Sequence, residues 1–495
     1  MVRCTSILLV LLASAIGVWS QGHEQHVVCY LGSWSVYRPS PGKFDIENIE
    51  PRLCTSLVYA FAGLDETAFT IKSLDPEYDI NKKAFERFVG LKKINPKMKV
   101  LIAIGGWTEG STKYSAMAST AASRKTFINS AVNFIQTHGF DGLDLDWEYP
   151  ASRGGAPQDK ENFVLLVKEL RQEFVKYGWM LTAATAAAKS IIDKAYDIDD
   201  LVEHLDFIHI MAYDYHGKWD GHTGHNAPLY SRDDEPDEEK ALNVDSTVKA
   251  YMEAGAPPHK LVLGVGFYGR TFLLADPSQP GIAAPAQPSA FAGPYTKEDG
   301  FLGYNEICEK QTSEGGLWNI VWQKAHQAPY MFRDNMWVGY DDPISINLKV
   351  AYAQSHGLGG VMIWSIDTDD FTGVCSKNRE RFPLLMAINK ALVAHKEKRP
   401  TPGAPGVDKP GLDDEPDRPD RPDRPDRPDT DRPDRPDRPD RPSKPDIDLD
   451  VDNDLDDRRT SSFGGDRRPQ GAGSSAVTPA AMTLFALLLA SFLSK

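Results

Sequence analysis

The sequence predicts an α/β protein: a (β/α)8 TIM barrel with a small α+β insertion domain, followed by a disordered linker. Three observations predict it. Short apolar, β-rich runs alternate with amphipathic, helix-length segments from residue 26 to about residue 395, as parallel strands joined by helical crossovers do. There are eight such runs, the number that closes a barrel. One gap, Arg270 to Asp342, is too long for a connection and is rich in Gly, Pro and aromatics, so an inserted lobe is expected at about 270–342.

In chain order the runs are Val27–Trp34, Ser56–Ala62, Lys99–Gly106, Gly142–Glu148, Met180–Ala186, Phe207–Asp214, Leu261–Gly269 and Gly360–Asp367. Between them, segments such as Ala131–Thr137 and Asn162–Phe174 repeat their apolar residues at helical spacing. Of the 495 residues, 41% are hydrophobic and 10% aromatic, enough for a large core. The formal charge of −15 excludes a general nucleic-acid binder, which needs a basic footprint.

The two ends read as targeting segments. Residues 1–20 place Arg3 before the apolar run Ile7–Val18 and then small residues, the layout of a secretory signal peptide. Of the five cysteines, Cys4 leaves with that signal, and export puts Cys29, Cys54, Cys308 and Cys375 where two disulfides form. Too few cysteines remain for an appended six-cysteine carbohydrate-binding module. Residues 399–478 read as a solvated linker. Asp-Arg-Pro occurs eight times between Asp417 and Pro442, and seven acids with no base lie between Asp446 and Asp457. Residues 479–495 hold the apolar run Ala480–Leu493. The run is short of the about 20 residues that span a membrane. Small residues Gly471–Ser475, a spacer and this tail fit a GPI-anchor signal, with a transmembrane tail or an ordinary helix as alternatives.

The chemistry-bearing string is Asp141-Gly-Leu-Asp144-Leu-Asp146-Trp-Glu148. Residues two apart on a strand share a face, so Asp144, Asp146 and Glu148 line the barrel lumen. Three carboxylates together are costly to bury, and their crowding raises at least one pKa. A carboxyl kept protonated in this way serves as a general acid. Glu148 lies nearest the C-terminal end of the strand, where barrel active sites open.

The string FDGLDLDWEYP closely resembles the signature of glycoside hydrolase family 18, the chitinase family. YLGSW at Tyr30–Trp34, YAFA at Tyr59–Ala62 and IGGW at Ile104–Trp107 resemble further strands of that family. So do MAYDY at Met211–Tyr215, GFYGR at Gly266–Arg270 and MIWSIDTDDF at Met362–Phe371. In composition the chain is similar to arthropod members. The resemblance covers residues 24–395 as a catalytic domain and implies the disulfides Cys29–Cys54 and Cys308–Cys375.

It also implies a retaining, substrate-assisted hydrolysis of β-1,4-linked N-acetylglucosamine polymers, chitin or chito-oligosaccharides. Glu148 would be the acid. Asp146 would hold the substrate's acetamido N–H and share a proton with Asp144, and Tyr213 would donate to the acetamido oxygen. Met211, Asp214, Met362 and Tyr149 would line that pocket. Trp364 would lie under the sugar at the cleavage point, with Trp107 and Trp34 on the glycone side and Trp219 toward the aglycone. For these outer aromatics, core packing is the alternative. Tyr30 and Phe61 fit either pocket wall or barrel packing, and Tyr268 and Arg270 could hydrogen-bond sugars. A chitin-binding lectin on the same barrel is the competing class, and the presence of Asp144, Asp146, Glu148 and Tyr213 argues for the enzyme.

His209, His216, His222 and His225 lie close together, but one sits in an apolar strand and three in a loop, so no metal is expected. No cofactor is expected either. A monomer is expected, and the chain has no N-glycosylation sequon.

Overall fold

The structure, a computed structural model, describes residues 25–398 apart from 315 and 377. The signal peptide expected at 1–20, the linker at 399–478 and the tail at 479–495 lie outside the described residues.

Eight parallel strands close a barrel: β1 (His26–Gly32), β2 (Ser56–Leu64), β3 (Lys99–Gly105), β4 (Gly142–Asp146), β5 (Met180–Thr185), β6 (Phe207–Ile210), β7 (Leu261–Gly266) and β8 (Gly360–Trp364). Each pairs with the next in chain order, and β1 pairs with both β2 and β8 to complete the ring. A short strand, Ile71–Ser73, adds antiparallel to β2, which the runs did not indicate.

Helices pack outside this ring, and their ends follow from local sequence. Helix Ala121–His138 starts where the Thr120 side chain accepts from the Ser123 amide. It stops at Gly139, which takes the left-handed conformation at φ 77°. Helix Pro343–Ser355 has Pro at its first turn and Asp342 accepting from the Ile344 and Ser345 amides. Outward strand residues such as Leu143, Leu145 and Leu263 join helix residues such as Phe127, Leu166 and Leu170 in the main core. Inward residues, among them Val28, Val58, Leu101 and Val262, pack a second core inside the ring.

After β7 the chain builds a separate five-stranded antiparallel sheet from Tyr268–Leu273, Phe301–Gly303, Asn319–Gln323, Ala328–Arg333 and Met336–Gly339. With helix Tyr304–Ser313 this lobe occupies the overlong gap. Disulfide Cys308–Cys375 ties the lobe's helix to the segment after β8, and Cys29–Cys54 ties β1 to the residue run before β2. These are the pairings the resemblance implies.

Seven of the eight apolar runs outlast their strands: β1 ends at Gly32, β3 at Gly105, β4 at Asp146, β5 at Thr185, β6 at Ile210, β7 at Gly266 and β8 at Trp364. Beyond β6, the Ala212 and Tyr213 amides donate to carbonyls only two residues back, Ile210 and Met211, which ends the ladder. Residues 211–215, like Glu148, therefore leave the sheet at the barrel's C-terminal mouth instead of continuing the strand.

Candidate active site

Asp144 and Asp146 point inward from β4 and are buried, Asp144 completely. Gly105 on β3 lies opposite Asp146 and has φ 123°; a Cβ there would sit 1.9 Å from the Asp146 carbonyl oxygen, so no other residue allows this backbone approach. The Gly106 amide bonds that carbonyl at 2.8 Å.

Asp144 is held by neighbours from three strands. Tyr30 on β1 donates to Oδ2 at 2.7 Å, and Thr182 on β5 donates to Oδ1. His209 on β6 brings Nδ1 to 3.2 Å from Oδ1 and to 2.7 Å from the Tyr30 hydroxyl. Asp146 Oδ1 is buried without a hydrogen-bond partner among the described residues.

Burial first, then the Glu148 and Asp144 charges, push the Asp146 carboxyl well above the usual carboxylate range. Glu148, half-buried past the strand end, is raised to about 7. Burial is the main cause. A hydrogen bond from Tyr149 opposes it, the Asp214 charge adds to it, and the Arg153 charge offsets part of it. A carboxyl in this range can be protonated near neutrality and give up its proton in a reaction.

Tyr213 is nearly buried, and its hydroxyl rests on Met362 Sδ at 3.8 Å, a weak bond that a substrate oxygen could replace. Asp214 is exposed and has a left-handed φ of 58°. Its Oδ1 accepts from Tyr268 Oη at 2.6 Å and Arg270 Nε at 2.7 Å. Met211 and Tyr149 are half-buried.

The aromatics divide into two sets. Trp34, Phe61 and Trp364 form one wall: Phe61 stacks on Trp364 at 5.7 Å and on Trp34 at 6.1 Å. Trp107 and Trp219 are 61% and 58% exposed. That exposure is not core packing, and large exposed rings are what sugar faces stack on. Tyr30 takes the barrel-packing alternative, and Tyr268 is buried in the same inner cluster. They are 1% and 2% exposed, and their hydroxyls are committed to Asp144 and Asp214. Arg270 is likewise engaged by Asp214, with Trp219 5.3 Å from its guanidinium.

Thr182, Asn226 and Arg153 went unnoticed in the sequence. Asn226 accepts from the Asp214 amide at 3.1 Å. The signal for Thr182 was a polar residue at an inward strand position, and His209 carried the same signal without its partner being evident. Of the other histidines, His225 is buried and its Nε2 serves the Pro329 and Tyr340 carbonyls, while His216 faces Asp220. The peptides Ala60–Phe61, Glu148–Tyr149 and Trp364–Ser365 are cis.

A closed parallel barrel with buried carboxylates and exposed aromatics at its C-terminal mouth is the arrangement of a barrel glycosidase. The sequence matches the family described as Glycosyl hydrolases family 18 over residues 26–369, and the chain belongs to that family. It is 44% identical over 427 residues to Probable chitinase 2 of Drosophila melanogaster, covering 78% of this chain and 85% of that protein. It is 39% identical over 401 residues to the Endochitinase of Manduca sexta, covering 79% of this chain and 72% of that one. The solved Ostrinia furnacalis Group IV chitinase in complex with allosamidin is 45% identical, with a TM-score of 0.73 over 75% of this chain and 99% of that one. No helix among the described residues is long and apolar enough to cross a membrane.

Proposed function

We propose that the protein is an extracellular, membrane-anchored chitinase that cleaves β-1,4-linked N-acetylglucosamine chains with retention, using the substrate's acetamido group as nucleophile. One observation carries this reading: Glu148, half-buried beside Asp146 and raised to about 7, sits at the same barrel end as the exposed rings of Trp34 and Trp107. The chitinase relatives support N-acetylated polymer as the substrate class.

Glu148 gives its proton to the glycosidic oxygen as the C1–O bond breaks. The acetamido carbonyl oxygen bonds to C1 from the opposite face, forming an oxazolinium ion. Asp146 accepts from the acetamido N–H and stabilises the positive charge, while Tyr213 turns from Met362 to the acetamido oxygen. Glu148, now a carboxylate, takes a proton from water as that water attacks C1. The ring opens to the acetamide, and the configuration is retained. Asp144 stays fixed below and holds the negative field under Asp146. Export and a lipid anchor rest on the sequence of residues 1–20 and 479–495, both outside the described residues.

The test is product analysis on N-acetylglucosamine oligomers of several lengths, with the anomer followed in time. N-acetylated products released first as the β-anomer are expected. Inversion, or equal cleavage of cello-oligosaccharides, overturns the reading.

A further inference from the structure

We propose that Arg153 is a positioning residue that clamps the Trp107 platform to the backbone of the acid Glu148, so that glycone binding and acid placement are set by one guanidinium. The proposal rests on the roles given above to Glu148 and Trp107.

Trp107 opens the short turn Trp107–Glu109 after β3, and Glu148 lies just beyond β4. The two strands are neighbours, with Gly105 opposite Asp146. Arg153 Nη1 donates to the Glu148 carbonyl at 2.9 Å, and Nη2 donates to the Trp107 carbonyl, also at 2.9 Å. The same guanidinium lies 3.5 Å from the Trp107 ring centroid. A planar fork can grip two carbonyls while its face covers an aromatic ring, and an ammonium cannot. One face of Trp107 is thus occupied by protein, which leaves the other for a sugar and stops the ring from swinging away.

The loop is shaped to deliver this group. Ala151 and Arg153 take left-handed conformations at φ 58° and 50°, and Gly154 follows at φ 90°. Ser152 and Gly155 close successive turns onto the Tyr149 and Ser152 carbonyls. Asp159 accepts from the Ala151 amide and from Ser115 Oγ, while Ser111 Oγ bonds the Tyr149 carbonyl. Both Ser111 and Ser115 follow Trp107 in the chain, so the two loops are stitched together behind the clamp.

The experiment measures kcat and KM on a hexamer of N-acetylglucosamine and on a dimer substrate for wild type, Arg153→Ala, Arg153→Lys, Trp107→Ala and the Arg153→Ala/Trp107→Ala double variant. Arg153 is exposed, so an unchanged melting temperature checks that the fold is retained. Arg153→Ala should raise hexamer KM roughly 2- to 5-fold, the worth of an exposed cation–π contact. It should also lower kcat on both substrates by a similar factor through misplacement of the acid. The KM effect should vanish in the Trp107→Ala background, and Lys should not rescue it. Wild-type kcat and hexamer KM in Arg153→Ala, or a KM effect that adds in full to that of Trp107→Ala, overturns the clamp. If Trp107→Ala alone leaves hexamer KM unchanged, the platform reading of Trp107 is wrong, and the clamp is then decided by kcat alone.

Discussion

Tyr30 and Asp144 meet across the barrel lumen: the hydroxyl from β1 donates to the carboxylate from β4 at 2.7 Å. Neither group reaches solvent, so the bond fixes a buried charge beneath the residues assigned to chemistry. Tyr30→Phe removes one donor while preserving ring volume. A buried carboxylate oxygen deprived of a partner costs about 1–3 kcal/mol, which denaturant unfolding should register as lost stability. kcat should fall with little change in KM, because no sugar contact is removed. An unchanged kcat would show that Asp144 needs no such support.

Glu148→Gln keeps the shape of the acid but cannot give up a proton. Its kcat should fall at least about 10²- to 10⁴-fold, the usual worth of general acid–base catalysis. Oligomer binding, measured calorimetrically, should persist. Near-normal turnover would remove Glu148 from the mechanism.

How much of this was legible in the sequence depended on which force placed each residue. Asp144 and Asp146 followed from period-two alternation, because both lie inside β4. The same alternation put Glu148 on the lumen face, but the strand stops at Asp146, so only the rule that barrel sites open at the C-terminal mouth carries over to it. Leu143 and Leu145, facing the helices, were readable by the same alternation. Tyr30 and Tyr268 were not, because burial by residues far away in sequence decides whether an aromatic near a cleft is wall or support. Thr182 and His209 became meaningful only when ring closure put β5 and β6 beside Asp144. Arg153 had no sequence signal, since its role depends on two neighbouring loops converging.

Substrate assistance makes its own demand. A thiazoline analogue of the oxazolinium ion should inhibit competitively, and Tyr213→Phe should weaken that inhibition because the hydroxyl now resting on Met362 is the donor on offer. Indifference of the wild-type enzyme to the analogue would count against acetamido participation.

The tail of the sequence predicts a lipid anchor. Treating surface-expressed protein with a phosphatidylinositol-specific phospholipase should release activity into the supernatant. Retained activity, with an epitope in residues 479–495 still present on the mature chain, would mean a transmembrane tail instead.

The pH dependence separates the charges around Glu148. Its carboxyl is raised to about 7, chiefly by burial, with Asp214 raising it and Arg153 lowering it. Acid catalysis needs the protonated form, so kcat/KM, which reports the free enzyme, should fall as pH rises through about 7. Removing a negative neighbour makes ionisation easier, so Asp214→Asn should move this limb to lower pH. The amide oxygen can still accept from Tyr268 and Arg270, which preserves the local bonding. Removing a positive neighbour makes ionisation harder, so Arg153→Gln should move the limb to higher pH, whatever it does to the absolute rate. The measurement is kcat/KM for a soluble oligomer from pH 4 to 9 on both variants. Opposite displacements identify the limb with Glu148; displacements in the same direction, or none, would assign it to another group.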